Sequence, residues 1–131
     1  KAATEFFGVG SARDLIGVFN GDGLKKSEIA AFARRVDYCA KNGDKVAAEI
    51  LDRAGCLLGR YAVSLLDRMP KDGRRAGMYG SVLVGNELVR SSFIKTVASA
   101  YPDAKTEIPD NPPEIGAAYY AADALGLNLG K

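Results

Sequence analysis

The stretch Ala76-Gly77-Met78-Tyr79-Gly80-Ser81-Val82-Leu83-Val84-Gly85 decides how this chain is read. It is apolar, β-branched in part, bounded by glycines and too short for a helix, which predicts a buried strand and its exit loop. Downstream, Glu87 to Tyr101 returns to helical spacing through Leu88, Val89, Phe93, Ile94, Val97 and Ala98, and Pro102 stops it. Lys105 to Ile108 reads as a second short strand. Pro109-Asp110-Asn111-Pro112-Pro113 then leads into a helix with Pro in its first turn, ending at Gly126. Strand, helix, strand, helix in that order predicts an α/β class with two short parallel strands covered by helices.

Upstream of this unit the chain reads as all helix. Thr4 to Phe7 and Ala12 to Phe19 form two short helices separated by Gly8-Val9-Gly10-Ser11, and Asn20-Gly21-Asp22-Gly23 is a turn. Ser27 is placed to cap a helix running to about Lys41, whose apolar face is Ile29, Phe32, Ala33, Val36 and Cys39, with Arg34, Arg35 and Asp37 in water. Asn42-Gly43 ends it, and Asp44 caps the strongest helical pattern in the chain, from Val46 to Met69, stopped by Pro70. Gly55 and Gly59 lie four apart inside that helix, each costing up to about 1 kcal/mol against Ala, so they predict a seam where another backbone comes close. The organisation expected is one domain over residues 1–131, helical over 1–70 and strand-helix-strand-helix over 71–131.

Composition narrows the chemistry. The chain has 131 residues, a net charge of +2, 47% hydrophobic and 26% charged residues, an ordinary globular balance for a single core. Lys and Arg are scattered, which argues against nucleic acid, and no apolar run reaches the roughly 18–20 residues of a membrane span, so a soluble protein is expected, and with Cys39 and Cys56 far apart a cytoplasmic one. Histidine is absent, which excludes Ser-His-Asp and Cys-His nucleophile systems and imidazole zinc sites. Cys39 and Cys56 lack Cys-x-x-Cys spacing and lie on helix-like segments, against a disulfide framework or an iron–sulfur cluster. The chain opens on Lys1 rather than Met, with no signal-peptide pattern, and sequence upstream of Lys1 is therefore expected.

Two glycine motifs fail on context. In Gly8-Val9-Gly10-Ser11-Ala12-Arg13, Arg13 stands where a dinucleotide fingerprint needs its third glycine and no strand precedes it. Gly126-Leu127-Asn128-Leu129-Gly130-Lys131 is one residue short of a phosphate loop and lacks the Ser or Thr after its lysine. The informative place is Gly80-Ser81, since ligands of open α/β sheets gather beyond the carboxyl ends of the strands. A glycine there admits a ligand close to the backbone, and the Ser81 hydroxyl suits a ribose or a base edge; the competing reading is a strand-end turn with a solvated serine. Ala30-Ala31 leaves a flat gap for an aromatic ligand or for helix packing, and the small residues of Glu114-Ile115-Gly116-Ala117-Ala118 read as a hinge or a tight helix contact. Asp44 and Glu49 read as cap and surface charge rather than a catalytic pair.

Taken in order, Ile29-Ala30-Ala31-Phe32-Ala33, Gly43-Asp44, Arg53-Ala54-Gly55 with Leu58-Gly59-Arg60, Gly80-Ser81-Val82 followed by Glu87-Leu88 and Phe93, and Ile115-Gly116-Ala117-Ala118 resemble the N-acetylglucosamine kinases and BadF/BcrA-type ATPases, of the actin-like, hexokinase-like ATPase superfamily. The resemblance implies the C-terminal half of the second lobe of a two-lobe kinase with a ribonuclease-H-like core. It implies ATP bound between the lobes, transfer of its γ-phosphoryl group to a sugar hydroxyl, and Mg2+ neutralising the developing charge. By the same resemblance Ala30 lines the adenosine pocket, Gly80 and Ser81 form the adenosine-binding strand exit, and Gly116 supports the hinge between lobes. Gly85 stands where the sugar kinases carry a nucleotide-contacting serine, a departure from the family. The catalytic aspartate, phosphate loops, metal ligands and sugar contacts of the family belong upstream of Lys1, so this chain alone is expected to be inactive. Two alternatives stay open. One is a relative of different activity, a 2-keto sugar-acid kinase or a dehydratase-activating ATPase, whose cluster needs cysteine ligands. The other is a non-catalytic module that pairs with a partner or with itself as a homodimer.

Overall fold

The computed structural model describes residues 1–21, 24–70 and 73–127. Its elements in chain order are α1 (Ala2–Phe7), α2 (Leu15–Asn20), α3 (Lys26–Lys41), α4 (Lys45–Leu66), β1 (Arg75–Gly77), α5 (Ser81–Gly85), α6 (Glu87–Ala100), β2 (Lys105–Glu107) and α7 (Pro113–Ala124). The class is mixed α/β, mostly helical, with two short parallel strands. The chain divides into two compact units, Lys1–Ala54 and Gly55–Lys131, and the division falls inside α4 rather than at the polar linker after Pro70.

In the first unit, aromatic side chains join α1, α2 and α3: the Phe7 ring lies 5.5 Å from Phe19 and 5.1 Å from Phe32, and Phe6 lies 5.2 Å from Phe32. The start of α3 departs from expectation. Lys25 is the N-cap, and the Glu28 carboxylate accepts the Lys25 backbone N–H at 2.8 Å, so the carboxylate three residues into the helix does the work assigned to Ser27. Nor is the polar face wholly in water, since Arg35 and Asp37 are half-buried while Ile29 is 53% exposed. Arg35 leans over the Tyr38 ring and reaches Glu5 at 3.6 Å.

The α3–α4 junction follows the sequence closely. Gly43 adopts φ +89, where a side chain would be strained, which lets the Asp44 N–H return to the Cys39 carbonyl. Asp44 Oδ1 then accepts the Ala47 N–H at 3.0 Å, capping α4. Along α4 the apolar positions do not share one environment: Ala47, Leu51 and Leu66 are buried, whereas Val46, Ile50, Tyr61 and Leu65 are exposed. The helix ends at Leu66, before the predicted Met69.

The second unit carries the core. Leu66, Met78, Phe93 and Val97 are buried together, with Ala62, Ala76, Leu83, Val84 and Ile94 packed around them. Gly55 and Gly59 are buried against α6: a Cβ on Gly55 would overlap the Val89 carbonyl oxygen and come within 2.8 Å of Ser92 Cβ, and one on Gly59 would sit 2.6 Å from Thr96 Cβ. The seam predicted from these two glycines is therefore a helix–helix crossing.

The decisive stretch is corrected in one respect. β1 spans only Arg75–Gly77, is exposed at both ends, and pairs in parallel with β2 in the register Arg75 to Lys105, Ala76 to Thr106 and Gly77 to Glu107. Met78 N–H makes the last bond, to the Glu107 carbonyl, because β2 offers no further partner. Val82-Leu83-Val84 turn into α5 instead, with Val84 N–H bonded to the Gly80 carbonyl. Burial of Leu83 and Val84 against the core outweighs the mild helix penalty of a β-branched residue.

Candidate functional site

The parallel register ends β1 and β2 at the same level, Gly77 beside Glu107, so both exits leave from one edge of the strand pair. The first exit is Met78-Tyr79-Gly80 and the second is residues 108–112. Between them lies a groove of about 320 Å3. Gly77 and Tyr79 from the first exit, Pro109, Asn111 and Pro112 from the second, and Pro113, Ile115, Gly116 and Tyr119 of α7 line it. Tyr79 is 59% exposed and Tyr119 47%, so both rings are open to a ligand.

Three of the four residues singled out in the sequence come together on α5. Gly80 is its N-cap, at φ +92, Ser81 its first residue and Gly85 its last. Gly80 and Ser81 directly follow Tyr79 but do not line the groove. Gly80 closes the exit, three residues beyond the end of β1, and Ser81 already opens α5, because the ladder stops at Met78. Ala30, the fourth, is an exposed residue of α3 in the first unit. Nothing lies within 4 Å of a Cβ placed on Gly116, so the tight helix contact read from its small neighbours is not formed there.

α5 is held by its neighbour. Asn86, buried between α5 and α6, accepts the Val89 N–H through its side-chain oxygen at 3.0 Å and so caps α6. One turn on, Arg90 donates from Nη1 to the Val84 carbonyl. Together they fix the bend at Gly85-Asn86 on which the placement of Ser81 depends.

Nothing in the local sequence marks Tyr79, Asn111, Ile115 and Tyr119 as residues of one site. A Tyr beside the singled-out glycine and an Asn between turn residues were visible, but nothing local joins positions 79 and 111. Among the described residues no three His, Cys, Asp or Glu side chains converge to hold a metal ion. No described helix is long and apolar enough to cross a membrane. Cys39 and Cys56 are half-buried free thiols on α3 and α4. The first unit has a groove of about 540 Å3 lined by Phe6, Phe7, Leu24 and Ala31 among others, and Ala30 is not part of its lining. Of the C-terminal glycine motif, residues 128–131 lie outside the described residues, as do Asp22 and Gly23 of the predicted turn.

No family model matches the chain. Neither a curated protein nor a solved structure matches it either. The chemistry of the groove and the residues of the chain therefore carry the functional argument.

Proposed function

We propose that this chain is the nucleotide-side part of a two-lobe, ribonuclease-H-like sugar kinase, one that transfers the γ-phosphoryl group of ATP to N-acetylglucosamine or a related amino sugar. The observation that carries this reading is the groove at the carboxyl ends of two parallel strands, where ligands of open α/β sheets bind, with Gly80 and Ser81 next in the chain after its lining residue Tyr79, in the order of the family's adenosine segment. Ser81 offers the ribose a hydroxyl that both donates and accepts, and Gly80 lets the sugar approach the backbone. In this reading Gly85 ends the same segment without the family's serine, and Gly116 serves the hinge. By the resemblance no residue of this chain matches the family's general base for the acceptor hydroxyl, and magnesium arrives on the ATP phosphates.

The test is calorimetric titration of the protein with ADP, wild type against Ser81→Ala. Saturable binding that weakens in the variant supports the reading; no binding, or binding indifferent to Ser81→Ala, removes Ser81 and the kinase assignment with it. Phosphoryl transfer from ATP by the intact enzyme to a panel of amino sugars and 2-keto sugar acids then separates the sugar kinase from its acid-phosphorylating relatives.

A second reading has its own observation. On α7, Tyr120 is 79% exposed, and Leu125 just beyond it is 74% exposed. Apolar side chains so displayed fit a non-catalytic module that docks on a partner or on itself. Sedimentation without nucleotide that reveals a dimer, together with no ADP binding, would favour it.

A further inference from the structure

We propose that the groove between the exits of β1 and β2 holds the adenine ring and that the side-chain amide of Asn111 reads its edge. This rests on the nucleotide reading above and deepens it, since it names the base and the residue that selects it.

Among the described residues no charged one lines the groove, so it offers no cation to a phosphate or a carboxylate. What it offers is the exposed rings of Tyr79 and Tyr119, an aliphatic surface from Ile115, and open space beside Gly116, where a Cβ would meet nothing within 4 Å. Bases bind such platforms by stacking, which every base can do, so stacking alone does not select among them. A volume of about 320 Å3 stands at the low end of small-molecule sites, suited to one ring system and its sugar.

Selection needs an edge contact, and among the described lining residues Asn111 is the one that carries a side-chain amide. Among the described residues its side chain has no hydrogen-bond partner. An amide presents a carbonyl acceptor beside an N–H donor. Adenine presents the complement, an exocyclic N–H donor beside a ring-nitrogen acceptor, and accepts an Asn or Gln side chain in a bidentate pair. Held with its N7 edge toward the amide as adenine is here, guanine shows two acceptors, N7 and O6, which the amide cannot match with both of its atoms. The backbone also presets this residue. Pro112 follows it at φ −67, and a residue before proline is confined to extended conformations, so little ordering remains to be done on binding.

The experiment compares ADP and GDP affinities by calorimetry for the wild type, Asn111→Asp and Ser81→Ala. The wild type is expected to favour ADP by about tenfold or more, the worth of one good bidentate pair. Asn111→Asp keeps only acceptors and has no donor for the adenine ring nitrogen, so it should weaken ADP and reduce the preference by at least about tenfold. Because Asn111 is exposed, the variant should melt with the wild type. An ADP/GDP ratio unchanged in Asn111→Asp overturns the proposal, as does a crystal structure with ADP in which the ring lies against Gly85 outside the groove. In either case, ADP binding that still depends on Ser81 leaves the nucleotide reading standing. If the wild type binds neither nucleotide, both fall together.

Discussion

Gly55 of α4 lies directly against the carbonyl oxygen of Val89 in α6, at a separation that a methyl group on Gly55 would abolish. An alanine in a helix interior gains up to about 1 kcal/mol over glycine. Here that gain is outweighed, because the obstacle is backbone and cannot swing aside, and moving α6 outward opens the contacts of Val89, Phe93 and Val97, all buried. Gly55→Ala is expected to destabilise the protein by about 1–3 kcal/mol, read as a lower urea midpoint. An unchanged or higher midpoint would show that the helices do not cross here.

Tyr101 donates its phenolic O–H to Asp67, across the junction between the end of α4 and the end of α6. That hydrogen bond, with some burial and the nearby negative charge, raises the phenol above its usual value of 10.0, while the Arg74 guanidinium over the ring, 4.1 Å from its centre, pulls the other way. A raised acid favours its neutral form when folded. The stabilisation is therefore complete below about pH 10 and lost as pH rises through the raised value. Ultraviolet titration should show one late tyrosine that disappears in Tyr101→Phe, and the variant should lose this part of the alkaline fall in stability. Identical titrations would contradict the pairing.

Asp44 closes the junction between α3 and α4 by accepting the Ala47 N–H. Asp44→Ala should cost about 1 kcal/mol, and Asp44→Ser should recover most of it, since either oxygen can serve the cap. Thermal melts of the two variants check this; equal losses in both would mean that charge and not the cap matters.

Gly85 has open space where its side chain would be and does not need a positive φ. The nucleotide reading puts a missing hydroxyl contact at this position. Gly85→Ser should then tighten ADP binding by roughly threefold to tenfold, the worth of one added hydrogen bond, while leaving the fold intact. Unaltered affinity in a variant that melts normally would place the nucleotide away from Gly85.

Much of the architecture could be read from local chemistry. Gly43 and Asp44 announced a helix end and the next helix start, Pro113 a helix beginning, and Gly55 with Gly59 a close crossing, because each depends on backbone geometry or sterics a few residues wide. Ser27 was a plausible cap that lost to Lys25 because Glu28, three residues on, could reach back to the exposed N–H. Of the site, Gly80, Ser81 and Gly85 were visible as a glycine-bounded segment after a strand, but Tyr79 and Asn111 were not visible as neighbours.

Local preferences along the chain were enough to specify the succession of helices and short strands apart from α5, the junction at Gly43 and Asp44, and the parallel order of the two strands. Tertiary structure alone decided that β1 stops at Gly77, that Val82 to Val84 coil into a helix, and that one row of α4 is buried while its apolar neighbours are not. The reason is physical: a strand extends only as far as a partner supplies hydrogen bonds, and a side chain is buried only where another element covers it. The groove exists for the same cause, since residues 79 and 111 meet only when the register of β1 and β2 brings both exits to one edge.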